Sequence, residues 1–267
     1  MKNYLDLFIQ KRFLISNYLV ILATLIIAIF CWDFYAFGGL IPTPSIVVKS
    51  FIKIASGPEF FDNLFTSLWL TMKSMFYSIL LSLVLCYIYA YDKIKNGKIK
   101  YFTPLIKFIM KCRYLTLSGL IFLFTLLTKD GSTLKISLLM FGIIPFFMTS
   151  YCAIIDEIKD EEFNLCTTLR MNKWQTLYEV VIVGKLDQVF EVIRQNFAIT
   201  WLMITMVEGL SMSEGGLGTL VIKYNKYIQL DNVFAILIMI LMIGILVDFT
   251  LNFARSLFFP YSKLQKK

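Results

Sequence analysis

The chain has 267 residues, 58% of them hydrophobic and only 16% charged, with a mean hydropathy of +0.72. Ordinary soluble domains carry about a quarter charged residues, so the composition excludes one and points to a chain that crosses a bilayer repeatedly. The net charge of +8 comes with no histidine, which removes the usual metal and proton-relay residue. Because the basic residues flank apolar runs instead of forming one face, they give no nucleic-acid footprint.

A hydrocarbon core takes roughly 20 helical residues to cross. The apolar runs predict six spans, near 13–33, 65–90, 104–128, 133–155, 192–211 and 233–254, within one transmembrane domain covering 1–267. Backbone polar groups in lipid must be satisfied within a segment, and these runs are longer than barrel strands, so the fold class is all-α. The first span opens after Lys11 and Arg12 and runs into Cys31, Trp32 and Asp33 without a small-residue cleavage pattern. It therefore reads as a retained anchor. The third span is the least regular. Lys107, Lys111 and Arg113 leave only 114–128 fully apolar, about 22 Å at 1.5 Å per residue, so its start is expected as an amphipathic helix at the cytoplasmic surface.

Orientation follows from the 26 lysines and arginines. With the N-terminus cytoplasmic, 19 fall on inner segments and six on outer ones, and Lys73 lies inside the second span. That imbalance matches the positive-inside rule and places both termini in the cytoplasm. The net positive charge is then a topogenic signal and an attraction to anionic lipid heads. Five scattered cysteines without a C-x-x-C pair read as small apolar side chains.

Three connecting segments carry signals. In the outer segment Gly38–Val47, Thr43 suits a helix cap and Pro44 the first helical position. Val47, Phe51 and Ile54 then share a face, predicting a short helix on the outer membrane surface, either covering the bundle or docking a partner. The inner segment of about 156–191 opens with Asp156, Glu157, Asp160, Glu161 and Glu162 and continues with Leu165, Leu169, Met171, Trp174, Leu177 and Val181 at helical spacing. Connections are usually a few residues long, so this loop is expected to form helices that touch a partner or the bilayer. The third segment, Glu208 to Gly218, has glycines at 215, 216 and 218 that allow a tight re-entry of the chain over the outer mouth of the bundle.

An ionisable group at the position of Glu208 is expensive unless paired or wet. Two uses stand side by side: a functional role in the pathway, or a structural pair with Lys73. Ser67, Thr71, Ser74, Ser78 and Ser82 make a small, polar stripe on the second span that serves helix packing or solute contact. Lys73 lies beside it and either attracts an anionic solute or pairs with Glu208. The fifth span offers Gln195, Asn196, Thr200 and Thr205, and the sixth offers Asp248, read as a local charge partner of Arg255.

At these segments the chain resembles the permease subunits of bacterial binding-protein-dependent ABC importers. That family carries E-A-A-x-x-x-G in its cytoplasmic loop, then I-x-L-P ten residues after the glycine. Leu169 and Trp174 fit its L-G-x-x-x-W phrase, which puts the glycine at Arg170; Val180 and Ile182 match the later apolar pair. The E-A-A positions become Asn164, Leu165 and Cys166, and the proline becomes Val183, so the match is one of frame. Ile41-Pro42-Thr43-Pro44-Ser45 with Ser67-Leu68, Glu208 with Gly216-Leu217-Gly218, and Ala254-Arg255-Ser256-Leu257 are similar to phrases of the nitrate, sulfonate and taurine branch.

The resemblance implies a type I permease bundle of about six helices in the bacterial inner membrane, importing a small solute such as a sulfonate or nitrate. Its implied partners are cytoplasmic ATPase subunits, a second permease chain, identical or different, and an extracytoplasmic binding protein. Leu169, Arg170, Met171 and Trp174 are the implied contacts of a coupling helix. Lys73, Ser74, Ser78, Thr200, Glu208, Gly216 and Gly218 are the candidates for the pathway or its gate. The chain has no G-x-x-x-x-G-K-[ST] phosphate loop, so it is expected to bind no cofactor and catalyse nothing itself, with ATP and Mg²⁺ held by the partner ATPase. Arginine at 170 would meet a steric cost in a turn built for glycine. Two rival classes stand beside it: a membrane-embedded enzyme, which would need a convergent set of acids, bases or metal ligands, and a secondary transporter or channel that works without ATP, which would usually show internal repeats.

Overall fold

A computed structural model describes residues 19–36 except 21 and 25, residues 41–96, and residues 102–260. The expected start of the first span at 13–18, the Gly38-Gly39-Leu40 part of the outer loop and the basic termini lie outside the described residues. All regular elements described are helical. They are α1 (Leu22–Ala36), α2 (Pro44–Ala55), α3 (Pro58–Asn96), α4 (Thr103–Lys111), α5 (Leu117–Leu127), α6 (Gly131–Asp156), α7 (Asp160–Thr168), α8 (Lys173–Thr176), α9 (Leu186–Leu210), α10 (Leu217–Lys226) and α11 (Leu230–Phe258).

Three of these, α3, α6 and α11, are individually long and apolar enough to cross a membrane, and the pair α4–α5 makes a fourth if taken as one broken span. The spans predicted at 65–90, 133–155 and 233–254 lie within these three helices. The described part of the first predicted span is the shorter apolar helix α1, and α9 spans 25 residues but carries Asp187, Glu191, Arg194, Asn196 and Glu208. The predicted third span is bent by 111° between α4 and α5. No proline causes the break. Cys112–Tyr114 tighten into a 3₁₀ turn and Leu115 and Thr116 are extended, so the chain turns where its charged residues Lys111 and Arg113 stop and the fully apolar stretch begins.

The bundle has two ends, and α3 runs between them. At one, Ser67 of α3 meets Glu208 of α9; at the other, Tyr89 and Lys93 of α3 meet Asp156 of α6. With 39 residues, α3 is about 58 Å long. Its stripe Ser67, Thr71, Ser74, Ser78 and Ser82 is fully buried, and α6 packs most extensively against α3. Small residues let backbones approach in an apolar medium. Consequently α6 is the most enclosed of the long helices, with Leu138, Leu139, Ile143, Phe147, Met148 and Tyr151 fully buried. The core divides into a cluster around Leu138, Ile143, Ile204 and Leu217 toward the Glu208 end, and one around Cys86, Phe147, Tyr151 and Val181 toward the other.

The short helix expected after Thr43 forms, with Pro44 in its first turn, but the Thr43 side chain bonds Ser45 Oγ (3.1 Å) and does not cap the backbone. The helix lies on α11, where Ser50 Oγ donates to Asp231 (2.7 Å). Covering the bundle is therefore what its apolar face does here. All five cysteines are free, Cys86 and Cys152 sitting 3.6 Å apart in the core.

Deleting a core side chain leaves a cavity costing roughly 2–5 kcal/mol for Leu→Ala. Leu138→Ala should lose that much in reversible unfolding from mixed micelles, whereas Leu202→Ala, 74% exposed on α9, should lose well under 1 kcal/mol.

Candidate functional site

Two constellations bring predicted residues together, one at each end of the bundle. At the first, α10 begins inside the protein. The first N–H groups of a helix have no intrahelical partner, and here three successive ones are taken by side chains from other helices. Gly216 N–H donates to Asn63 Oδ1 (2.7 Å), Leu217 N–H to Ser67 Oγ (2.9 Å) and Gly218 N–H to Glu208 Oε2 (2.9 Å). Ser67 Oγ in turn donates to the Glu208 carboxylate, 2.7 and 2.9 Å from its two oxygens. Glu208 is fully buried, and a carboxylate at a helix N-terminus is favoured by the aligned peptide dipoles.

Both candidate glycines are required by this arrangement. Gly216 has φ +115°, and a Cβ there would lie 2.3 Å from the Glu208 carboxyl carbon; at Gly218 it would lie 2.1 Å from the Thr205 carbonyl oxygen. Lys135 of α6 is also buried and its Nζ donates to the Gly215 carbonyl (3.2 Å). Asn63 and Lys135 were not picked out from the sequence. The signal available was that Asn63 sits one turn before Ser67 on the same face of α3.

The expected pairing of Lys73 with Glu208 is overturned. Lys73 faces outward from α3, on the side opposite the buried stripe, and the partners of Glu208 are Ser67 and Gly218. Ser74, Ser78 and Thr200 are fully buried inside the bundle. Ser78 and Thr200 bond carbonyls of their own helices, those of Ser74 and Asn196, while Ser74 Oγ has no partner. Asp248 is likewise not paired with Arg255. Arg194 of α9 bridges Asp248 (2.7 Å) and Glu191 (2.6 Å), and Arg255 binds Glu191, so the charges fasten α11 to α9.

At the opposite end, the segment 160–185 folds as a helical hairpin. Asp160, Glu161 and Glu162 form the first turn of α7, where negative charge suits the helix dipole, and Glu162 pairs with Lys185 (3.6 Å). The helix ends in a Schellman turn: Met171 N–H bonds the Cys166 carbonyl and Arg170 N–H the Thr167 carbonyl, both at 3.0 Å. Arg170 itself has φ +53°, the left-handed conformation that favours glycine. A capping box then starts α8, with Asn172 N–H donating to Gln175 Oε1 (2.8 Å) and Lys173 N–H to Asn172 Oδ1 (2.7 Å). A π-helical turn, Leu177–Val183, leads back toward α9.

This hairpin places Leu169, Arg170, Met171 and Trp174 together at its tip. Leu169 and Trp174 are 65% and 62% exposed, and Leu165 and Tyr178 add to the exposed apolar surface. Trp174 is held by one face, stacked on Tyr91 of α3 with ring centroids 4.5 Å apart. Met171 lines a cavity of about 330 Å³ with Lys93, Phe163 and Lys173.

The fold therefore defines an all-α protein with long apolar helices, the shape of a multi-span membrane bundle. No protein-family model matches the chain, and no curated protein matches it.

Glu208→Ala would leave Ser67 and the Gly218 N–H without their acceptor. Losing a buried acceptor of this kind costs about 1–3 kcal/mol or more, so mixed-micelle unfolding should show at least that loss, with Glu208→Gln milder. Arg170→Gly should act in the opposite sense, stabilising the hairpin by about 1 kcal/mol, read as slower amide exchange across 160–176.

Proposed function

We propose that this chain is the membrane-spanning permease subunit of an ATP-driven transporter whose hydrolytic subunits are separate chains. The observation that carries the reading is the hairpin tip, where Leu165, Leu169, Trp174 and Tyr178 are all exposed at the end of a folded, capped structure. Exposed apolar side chains clustered in this way mark an interaction surface. The left-handed turn at Arg170 supports the same reading, since it falls where the resembled family has its glycine.

In this reading the hairpin end is cytoplasmic, consistent with the distribution of lysine and arginine. The tip seats in a groove of the ATPase, and Tyr91 under Trp174 ties the contact to the end of α3. A displacement of the tip is then delivered directly to a long helix of the bundle, and through the π-helical turn to α9. Rigid helices moved at one end are an established way to rock a bundle between two arrangements. A second permease chain completes the pathway, and the buried stripe of α3 belongs to packing within each chain. The solute belongs to the small sulfonate, nitrate or related class implied by the resemblance, delivered by an extracytoplasmic binding protein.

Purified from membranes in mild detergent, the chain should bring a nucleotide-hydrolysing subunit with it. Trp174→Glu should cut that association roughly tenfold or more, because a central aromatic contact is typically worth about 2 kcal/mol or more, while the bundle's unfolding in mixed micelles stays unchanged. Full retention of the ATPase by the variant, or purification of an active transporter with no ATPase at all, would overturn the reading.

A further inference from the structure

Lys73 is the only charged residue between Asp62 and Asp92. It lies about 9 Å along α3 from Ser67, inside the apolar stretch of a membrane-length helix. Several other charged side chains of the long helices have partners within the bundle. Glu208 accepts from Ser67 and Gly218, Lys135 reaches a carbonyl, Lys93 pairs with Asp156, and Arg194 and Arg255 pair with Asp248 and Glu191. Lys73 points outward and has no hydrogen bond or ion pair among the described residues.

A lysine held against hydrocarbon near the bilayer centre costs about 2.5–3.5 kcal/mol even on the mildest scale, and such residues nearly always face a bundle interior or a water-filled cavity. The surrounding face of α3 narrows the choice. It presents Trp69, Met72, Phe76, Tyr77 and Leu80, all large and exposed, while the helix's small residues are on the other side. Close helix packing in membranes uses small residues, so this face is poorly built to seat a neighbouring helix tightly around an ammonium group. A cleft with low-dielectric walls and one fixed positive charge, by contrast, concentrates anions.

We propose that the outward face of α3 around Lys73 lines a water-filled cleft, and that Lys73 is the anion contact within it. The inference rests on the transport reading for the second wall of the cleft, which another membrane subunit supplies. Trp69 and Tyr77, four residues to either side of Lys73, flank it on the same face.

The test uses the full-length chain assembled in native membranes, in a Cys31→Ser, Cys112→Ser background, with Tyr77→Cys or Trp69→Cys introduced. The probes are the membrane-impermeant methanethiosulfonates bearing an ethylsulfonate or an ethyltrimethylammonium group. Both should modify the new cysteine, and adding Lys73→Gln should lower the ratio of anionic to cationic reaction rates at least about fivefold, whereas Lys73→Arg should preserve it. Absence of modification at both positions would mean a face closed by lipid or by a packed helix and would overturn the proposal. So would a rate ratio indifferent to Lys73→Gln. ATPase association, which reports on the hairpin, is measured independently on the same membranes, so failure of the coupling contact and failure of the cleft register separately.

Discussion

A helix that starts in the interior of a bundle must find partners for its first N–H groups, and at α10 three side chains from two other helices supply them. Asn63 and Ser67 come from successive turns of α3 and Glu208 comes from the last turn of α9. Because a backbone donor left unpaired in an apolar interior costs free energy comparable to a lost hydrogen bond, this contact fixes where α3, α9 and α10 stand along one another. The glycines at 216 and 218 follow from it, since any larger residue would collide with the carboxylate or with the Thr205 carbonyl. The face of α3 that carries Asn63 and Ser67 continues as Thr71, Ser74, Ser78 and Ser82, and these small residues admit α6 to the centre. The cap and the core are thus two stretches of one face.

The opposite end is held differently. Charge pairs join the helices there: Lys93 to Asp156 between α3 and α6, Arg194 and Arg255 to Asp248 and Glu191 between α9 and α11, and Glu162 to Lys185 at the base of the hairpin. Partly exposed pairs of this kind contribute about 1 kcal/mol or less each, far less than buried hydrogen bonds to charged groups at the Glu208 end. The same end contains a left-handed arginine and a π-helical turn, both uncommon forms that recur at functional sites. Buried hydrogen bonds thus join the helices at one end and partly exposed charge pairs at the other, and the exposed aromatic and aliphatic residues of the hairpin are carried on the latter.

Long, strongly apolar segments were the most legible part of the sequence. The spans predicted at 65–90, 133–155 and 233–254 lie within α3, α6 and α11, each a few residues longer because the polar residues at their ends continue the helix into the flanking regions. The broken helix was readable in part, from the lysines and arginine at 107–113, but the 111° bend depends on extended backbone at Leu115 and Thr116 that no composition signals. The turn at Arg170 was legible only through register with a glycine motif. Glu208 with Gly216 and Gly218 was visible as a motif, whereas its true partners were not. Asn63 and Lys135 look like ordinary span-flanking residues until tertiary packing brings α3 and α6 to the start of α10. Pairing Lys73 with Glu208 failed for a geometric reason: six residues from Ser67 on a helix is well round the cylinder, so the two point to different sides.

That same geometry explains why α3 is the helix on which the molecule's organisation turns. Its inner face is small and hydroxylated, and each of those groups is used for close packing, for a bond to its own backbone or for the α10 cap. Its outer face is large and apolar with a single ammonium group. A helix facing only lipid would gain nothing from that charge, and a helix designed to bury its outer face against another would carry small residues there. The two faces make sense together if the inner one builds the subunit and the outer one belongs to a space that the subunit shares. With Trp174 stacked on Tyr91 near the far end of the same helix, a displacement of the hairpin tip would be carried along one rigid element to the face that bears Lys73.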